Sequence, residues 1–150
     1  MQTILSNQET TEFIQRINNI NPEAKAIWGK MNVSQMLKHC SEISKVTFGE
    51  KKVKRPFISK LIGGILLKKS IGNDLPIGKN KPTLKELVIT NTRDFNTEKE
   101  ELIGLVNRYS SSNKDDFQGR IHPFFGKMNS EQWSKLINKH LDHHLRQFNA

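Results

Sequence analysis

A chain of 150 residues, 35% of them hydrophobic and 26% charged, is long enough to bury one sizeable core and too apolar to be forced into disorder. Lys and Arg number 24 against 15 Asp and Glu, a formal net charge of +9, and the single cysteine, Cys40, excludes an internal disulfide and a cysteine-rich zinc module. The opening Met1–Asn7 lacks the basic and apolar stretches of a secretory leader, and the longest apolar stretch, Leu61–Leu67, falls far short of the roughly 20 residues that span a bilayer. The expectation is one domain over 1–150, in the cytoplasm.

Five segments carry helical periodicity between Gly, Pro and Asn breaks. The first runs from about Glu9 to Ile20, with Phe13, Ile14, Ile17 and Ile20 on one face, and Asn21-Pro22 ends it because a residue before proline avoids the helical region. The second spans about Val33 to Phe48. The third spans about Pro56 to Lys69 and is weakened by Gly63-Gly64. From Gly72 to Asn96 the chain reads as irregular, and Leu87–Thr90, its only β-like run, is too short to support a sheet. The fourth helix covers about Thr97 to Tyr109, with Leu102, Leu105, Val106 and Tyr109 inward. The fifth covers about Ser130 to Phe148. These segments predict an all-α fold.

A short repeat precedes two of these helices. Trp28-Gly-Lys-Met-Asn32-Val-Ser-Gln35 recurs as Phe125-Gly-Lys-Met-Asn129-Ser-Glu-Gln132. In each copy the Asn has the position of an N-cap, and a Gln three residues on can reach back to it. Met31 with Met36, and Met128 with Trp133, have the spacing of hydrophobic staples. Two good caps explain the Asn and Gln; a duplicated helix-start device also explains the shared aromatic-Gly-Lys-Met.

Three of the five histidines, His140, His143 and His144, lie in the fifth helix, His39 in the second, and His122 in the loop between the fourth and fifth. At about 100° per residue, His144 falls about 20° from the centre of the stripe Trp133, Leu136, Ile137, Leu141, Leu145 and Phe148, and His140 about 60°. His143 falls about 120° away, out of the interior, and His39 about 90° from the centre of its own stripe. Two readings stand. Each inward histidine is a core residue with its own buried partner, or the i, i+4 pair and His39 together ligate one metal ion, since neutral imidazole suits zinc, nickel, iron or copper. Cys40 points about 100° from His39 and reads as a small core hydrophobe.

The strings Trp28–Cys40 and His122–Phe148, with the closing His140-Leu-Asp-His143-His144-Leu-Arg-Gln147-Phe148, resemble the domain of unknown function 1569 family, placed within the DinB/YfiT-like superfamily. The resemblance covers nearly the whole chain. It implies an antiparallel four-helix bundle of the first, second, fourth and fifth segments, with the Pro56–Lys69 helix inserted. It also implies a divalent metal on His39, His140 and His144: zinc or nickel first, iron or manganese next. Gln147 matches the Gln that often follows the pair. Asp142, Gln147 and His122 are candidates for groups that orient ligands or water, and His122 either reaches the mouth of the site or staples its loop. Some superfamily members are thiol S-transferases that use low-molecular-weight thiols; others are metal-dependent hydrolases or isomerases.

The third segment adds a competing reading. Between Lys51 and Lys69 stand seven Lys or Arg and no acid, interleaved with Phe57, Ile58, Leu61, Ile62, Ile65 and Leu66. Such a helix can bind an anionic surface as a non-catalytic module. It is expected instead to lay its apolar side on the bundle and keep its lysines in water. The expected partner is then a small-molecule substrate or thiol, with no nucleic acid, no tight liposome binding and no stable membrane insertion, leaving room for a homodimer.

Overall fold

The computed structural model describes residues 1–150. Five helices carry the chain: α1 (Asn7–Asn18), α2 (Val33–Phe48), α3 (Phe57–Ile71), α4 (Phe95–Ser111) and α5 (Ser130–Arg146). A two-residue antiparallel hairpin, β1 (Ile121–His122) and β2 (Gly126–Lys127), stands just ahead of α5. The mostly helical expectation holds, and α2 begins and ends where its pattern does. Other boundaries shift by one or two residues, α1 ending at Asn18, α3 running Phe57–Ile71 and α4 ending at Ser111, and three shifts are plain from the local sequence. α1 starts earlier because Ser6 caps it: the Glu9 N–H donates to Ser6 Oγ (3.2 Å) and the Ser6 N–H to the Glu9 carboxylate (2.8 Å). α4 starts at Phe95 because Asp94 Oδ1 accepts from the Thr97 N–H at 2.8 Å. α5 ends at Arg146, so Gln147 and Phe148 lie just past it. Leu87–Thr90 forms no strand; Lys85–Leu87 is a single 3₁₀ turn that buries Leu87.

α4 packs on α1 and α2, α5 packs on the same two helices, and their buried faces share one core. The pattern fixes which faces turn inward: Phe13 and Ile17 from α1, Met36 and Leu37 from α2, Leu102, Val106 and Tyr109 from α4, and Trp133, Ile137, Leu141 and Leu145 from α5 are all buried. Cys40 joins them. So do Ile4 and Leu5, which no periodicity singles out. They are held by an extended N-terminal segment whose Ile4 N–H donates to the Ser112 carbonyl at 3.3 Å.

Both repeats form the same start. Asn32 with Gln35, and Asn129 with Gln132, make reciprocal capping boxes. The shared glycine has its own cause. Gly29 (φ 83°) and Gly126 (φ 86°) are both left-handed, and a Cβ on either would sit 2.7 Å from a polar side-chain nitrogen, Gln147 Nε2 or Arg55 Nη2.

α3 lies outside the four, against α5 and β2, and here the structure corrects the expectation. Its apolar side does not cover the bundle. The buried row is Ser59, Gly63, Leu67 and Ile71, one residue per turn, while Phe57, Ile58, Leu61 and Ile65 are 74, 53, 65 and 70% exposed. The cause is close backbone approach. A Cβ on Gly63 would lie 2.4 Å from the Phe124 carbonyl oxygen, so the small row alone lets the helix reach the hairpin turn. No helix is long and apolar enough to cross a membrane.

Candidate metal centre

The contact between α2 and α5 brings together side chains about a hundred residues apart in sequence. His39 comes from the second turn of α2. His140 and His144 come from successive turns of one face of α5. One ring nitrogen from each of the three lies within 4.8 Å of the other two. The ring centroids are 5.3 Å apart for His39 and His140, 4.7 Å for His39 and His144, and 4.6 Å for His140 and His144. His39 is buried although its wheel position was marginal, because the Lys85–Leu87 turn folds over that edge of α2.

The surroundings set the tautomers. His39 Nδ1 is 2.8 Å from the Leu87 carbonyl, which can only accept, so Nδ1 carries the proton and Nε2 presents its lone pair. His144 Nδ1 is 2.9 Å from Gln147 Oε1. The Gln147 amide cannot be turned round there, because its Nε2 donates to the Trp28 carbonyl at 2.6 Å. His144 therefore also donates from Nδ1 and keeps Nε2 free. Two of the three rings thus have a carbonyl oxygen behind them, the kind of partner that holds metal-binding histidines in register.

Charge follows burial. Burial pushes His144 down to about 3, with His39 adding to the effect against the opposing Gln147 bond. His140 is held well below its ordinary value by burial and then by His144 and His39. Burial lowers His39 as well, outweighing the Leu87 bond. All three rings are neutral at neutral pH, the state in which imidazole accepts a cation.

The remaining candidates separate. Gln147 is in place behind His144. Asp142 is not: it pairs with Arg16 at 3.0 Å and Arg146 at 2.9 Å. Two residues from each helical histidine is about 200° around α5, so Asp142 faces away from them. His122 takes the stapling role. Its Nδ1 accepts from the Phe124 and Phe125 N–H groups at 3.0 and 3.1 Å, and its ring packs on Phe125 and Trp133. His143 stays out of the cluster, with Nδ1 3.2 Å from the Ile77 carbonyl and its ring between Trp28 and His144. The Cys40 thiol is buried 3.8 Å from Met36 Sδ and is not among the groups that converge with the three histidines. A surface cavity of about 660 Å³ between the end of α3 and the start of α5 is lined by none of the histidines.

Sequence reasoning missed two backbone carbonyls: Leu87, which orients His39, and Trp28, which holds the Gln147 amide behind His144. Nothing in the residue types around Leu87 marks the first. The left-handed glycine after an aromatic residue, repeated in the chain, was the sign of the second, since Gly29 leaves room for Gln147.

This arrangement defines an all-helical protein with a buried three-histidine cluster able to hold a metal ion. A family model described as protein of unknown function (DUF1569) matches residues 2–150, and the chain belongs to that family. No curated protein and no solved structure matches it.

Proposed function

We propose that this is a divalent-metal protein of the DinB-like kind, with α1, α2, α4 and α5 as its four-helix bundle and α3 as an addition outside it. His39, His140 and His144 hold the ion, and the protein acts on a small molecule, in first place by transferring a low-molecular-weight thiol to an electrophile. The observation that carries this reading is the convergence of three ligand nitrogens within 4.8 Å, reached from two helices. Core histidines would each need a private partner. Here the partners, Leu87 and Gln147, occupy only Nδ1, and the Nε2 atoms of His39 and His144 remain.

The donor set fits the group. Three neutral imidazoles favour zinc or nickel, then iron or manganese, over magnesium or calcium, which prefer oxygen. A divalent ion bound there supplies a Lewis acid that lowers the pKa of a thiol or water. The chain's own residues hold that site still. Leu87 and Gln147 lock two ring planes, and Trp28 locks Gln147. A cytoplasmic setting, where thiols are abundant and the one cysteine stays reduced, suits this chemistry.

The test is elemental analysis of protein purified without a histidine tag, followed by a screen with glutathione, bacillithiol and related thiols paired with electrophiles. Metal at one per chain, and turnover lost with a chelator and in His144→Ala, are expected. Turnover that needs metal but no thiol would make it a hydrolase or isomerase. Turnover surviving both the chelator and His144→Ala would overturn the metal reading.

A further inference from the structure

α3 spends its apolar residues on solvent. Phe57, Ile58, Leu61, Ile62 and Ile65 are 74, 53, 65, 36 and 70% exposed, whereas nearly every other large apolar side chain of the helices is buried or half-buried. At about 100° per residue these five occupy one arc of about 140° opposite the packed row Ser59, Gly63, Leu67 and Ile71. The face is therefore continuous rather than scattered, and single exposed leucines elsewhere on a protein would need no such account.

Charge tells what would cover it. Lys52 and Lys54 stand before the helix, Lys60 in its first turn, and Lys68 and Lys69 one turn beyond Ile65; all five are exposed. None of them forms a salt bridge, and no acidic residue occurs between Lys51 and Asn73. Lys51 and Arg55 differ, being engaged with Glu42 and the Ser59 carbonyl. An apolar strip with free lysines at both ends and no carboxylate matches a surface that is anionic outside and apolar just beneath. A second copy of this chain fits poorly, since a symmetric contact would set lysines against lysines. A nucleic acid would satisfy the lysines and leave five large apolar side chains without a partner.

We propose that the outward face of α3 docks the protein on an anionic lipid bilayer, with the helix lying in the plane of the surface. Phe57, Ile58, Leu61, Ile62 and Ile65 enter the boundary between headgroups and acyl chains, and the lysines at either end meet anionic headgroups. The helix does not span, being too short. This inference is independent of the metal site: it reverses the expectation of no liposome binding, because that expectation assumed the apolar side was covered.

The experiment uses the full chain in co-sedimentation with vesicles of phosphatidylcholine alone or mixed with phosphatidylserine, at physiological and raised salt. Binding to the mixed vesicles is expected, weaker by about tenfold on the neutral ones and weakened again by salt. Lys68→Glu with Lys69→Glu, and separately Leu61→Asp with Ile65→Asp, are each expected to reduce it by about tenfold or more. All four positions face solvent, so an unchanged melting temperature shows that the fold survives. Equal binding to both vesicle types, no binding at all, or binding that Leu61→Asp with Ile65→Asp leaves intact would overturn the proposal. So would a dimer in gel filtration that those two aspartates dissociate, which would assign the face to a second copy.

Discussion

α3 and α5 lie side by side, and they use apolar residues in opposite ways. α5 keeps Trp133, Leu136, Ile137, Leu141 and Leu145 in one stripe, all buried, and sends Lys135, Lys139 and Arg146 outward. α3 is apolar nearly all round and buries two small residues, Ser59 and Gly63, in line with Leu67 and Ile71. In α5 side-chain burial decides the orientation, and the pattern announces it. In α3 the backbone decides: only the Ser59–Gly63 side can approach the Phe124 carbonyl, and the larger side chains go where room remains. An amphipathic stripe predicts its own inward face. A helix without one is oriented by whichever side comes closest to its neighbour.

The largest expected effect lies on α5. If its inward stripe carries the metal ligands, metal present at a thousand times its dissociation constant stabilises the folded chain by about 4 kcal/mol. Chelation should therefore lower the melting temperature, and His144→Ala should melt identically with and without added zinc or nickel. Next comes the apolar stripe itself. Ile137→Ala, at a position 4% exposed, is expected to cost about 3 kcal/mol in a denaturant titration. On α3 only the inward positions should behave this way, as Leu67→Ala would show.

The two adjacent glycines of α3 sharpen the comparison further, because they should respond with opposite sign. A Cβ on Gly63 meets the Phe124 carbonyl at 2.4 Å, while one on Gly64 meets nothing within 4 Å. Gly63→Ala is expected to destabilise by about 2 kcal/mol as the helix is pushed off the hairpin. Gly64→Ala is expected to stabilise by about 1 kcal/mol through helix propensity alone. Equal effects at the two positions would show that α3 is not seated by backbone approach.

The hairpin between these helices adds a graded effect of pH. Burial, with Arg55 nearby, pushes His122 from its ordinary 6.5 down to about 4. The unfolded chain then binds more protons than the folded one between those values, so stability falls as pH is lowered through that window. In metal-free protein, His122→Asn should be less stable at neutral pH, where the Phe124 and Phe125 N–H groups lose their acceptor, and should show a shallower decline with acid. An unchanged slope would mean that His122 does not keep its neutral ring in solution.

Most of the helices and the histidine cluster were legible because periodicity and capping are local. Asn32 and Asn129 mark their helix starts within four residues, and the His140–His144 spacing is a property of one helix. His39 was less clear, since what buries it is the Lys85–Leu87 turn nearly fifty residues away. The carbonyls of Leu87, behind His39, and of Trp28, behind Gln147, were harder still to read: backbone acceptors have no residue type to betray them. Asp142, a candidate for orienting ligands or water, pairs instead with Arg16 and Arg146, because two residues from either helical histidine lies on the other side of the helix. Ile4 and Leu5 were missed because a short extended segment has no period to read.

The smallest effect expected is also the one that tests the comparison most directly. Leu61 and Ile65 are as apolar as anything in the α5 stripe, yet each is about two-thirds exposed. If they have no partner in the folded chain, Leu61→Ser and Ile65→Ser should change stability by no more than about 0.5 kcal/mol, either way, in a denaturant titration. The same change in α5, Leu145→Ser at 1% exposure, removes buried contacts and strands a hydroxyl, and should cost several kcal/mol. Sequence apolarity is equal in the two cases, so the difference in cost measures burial alone. A loss of more than about 1 kcal/mol at Leu61 in dilute protein would mean that the outer face of α3 is covered after all. Repeating the titration at higher protein concentration would then separate self-association, which depends on concentration, from packing within one chain, which does not.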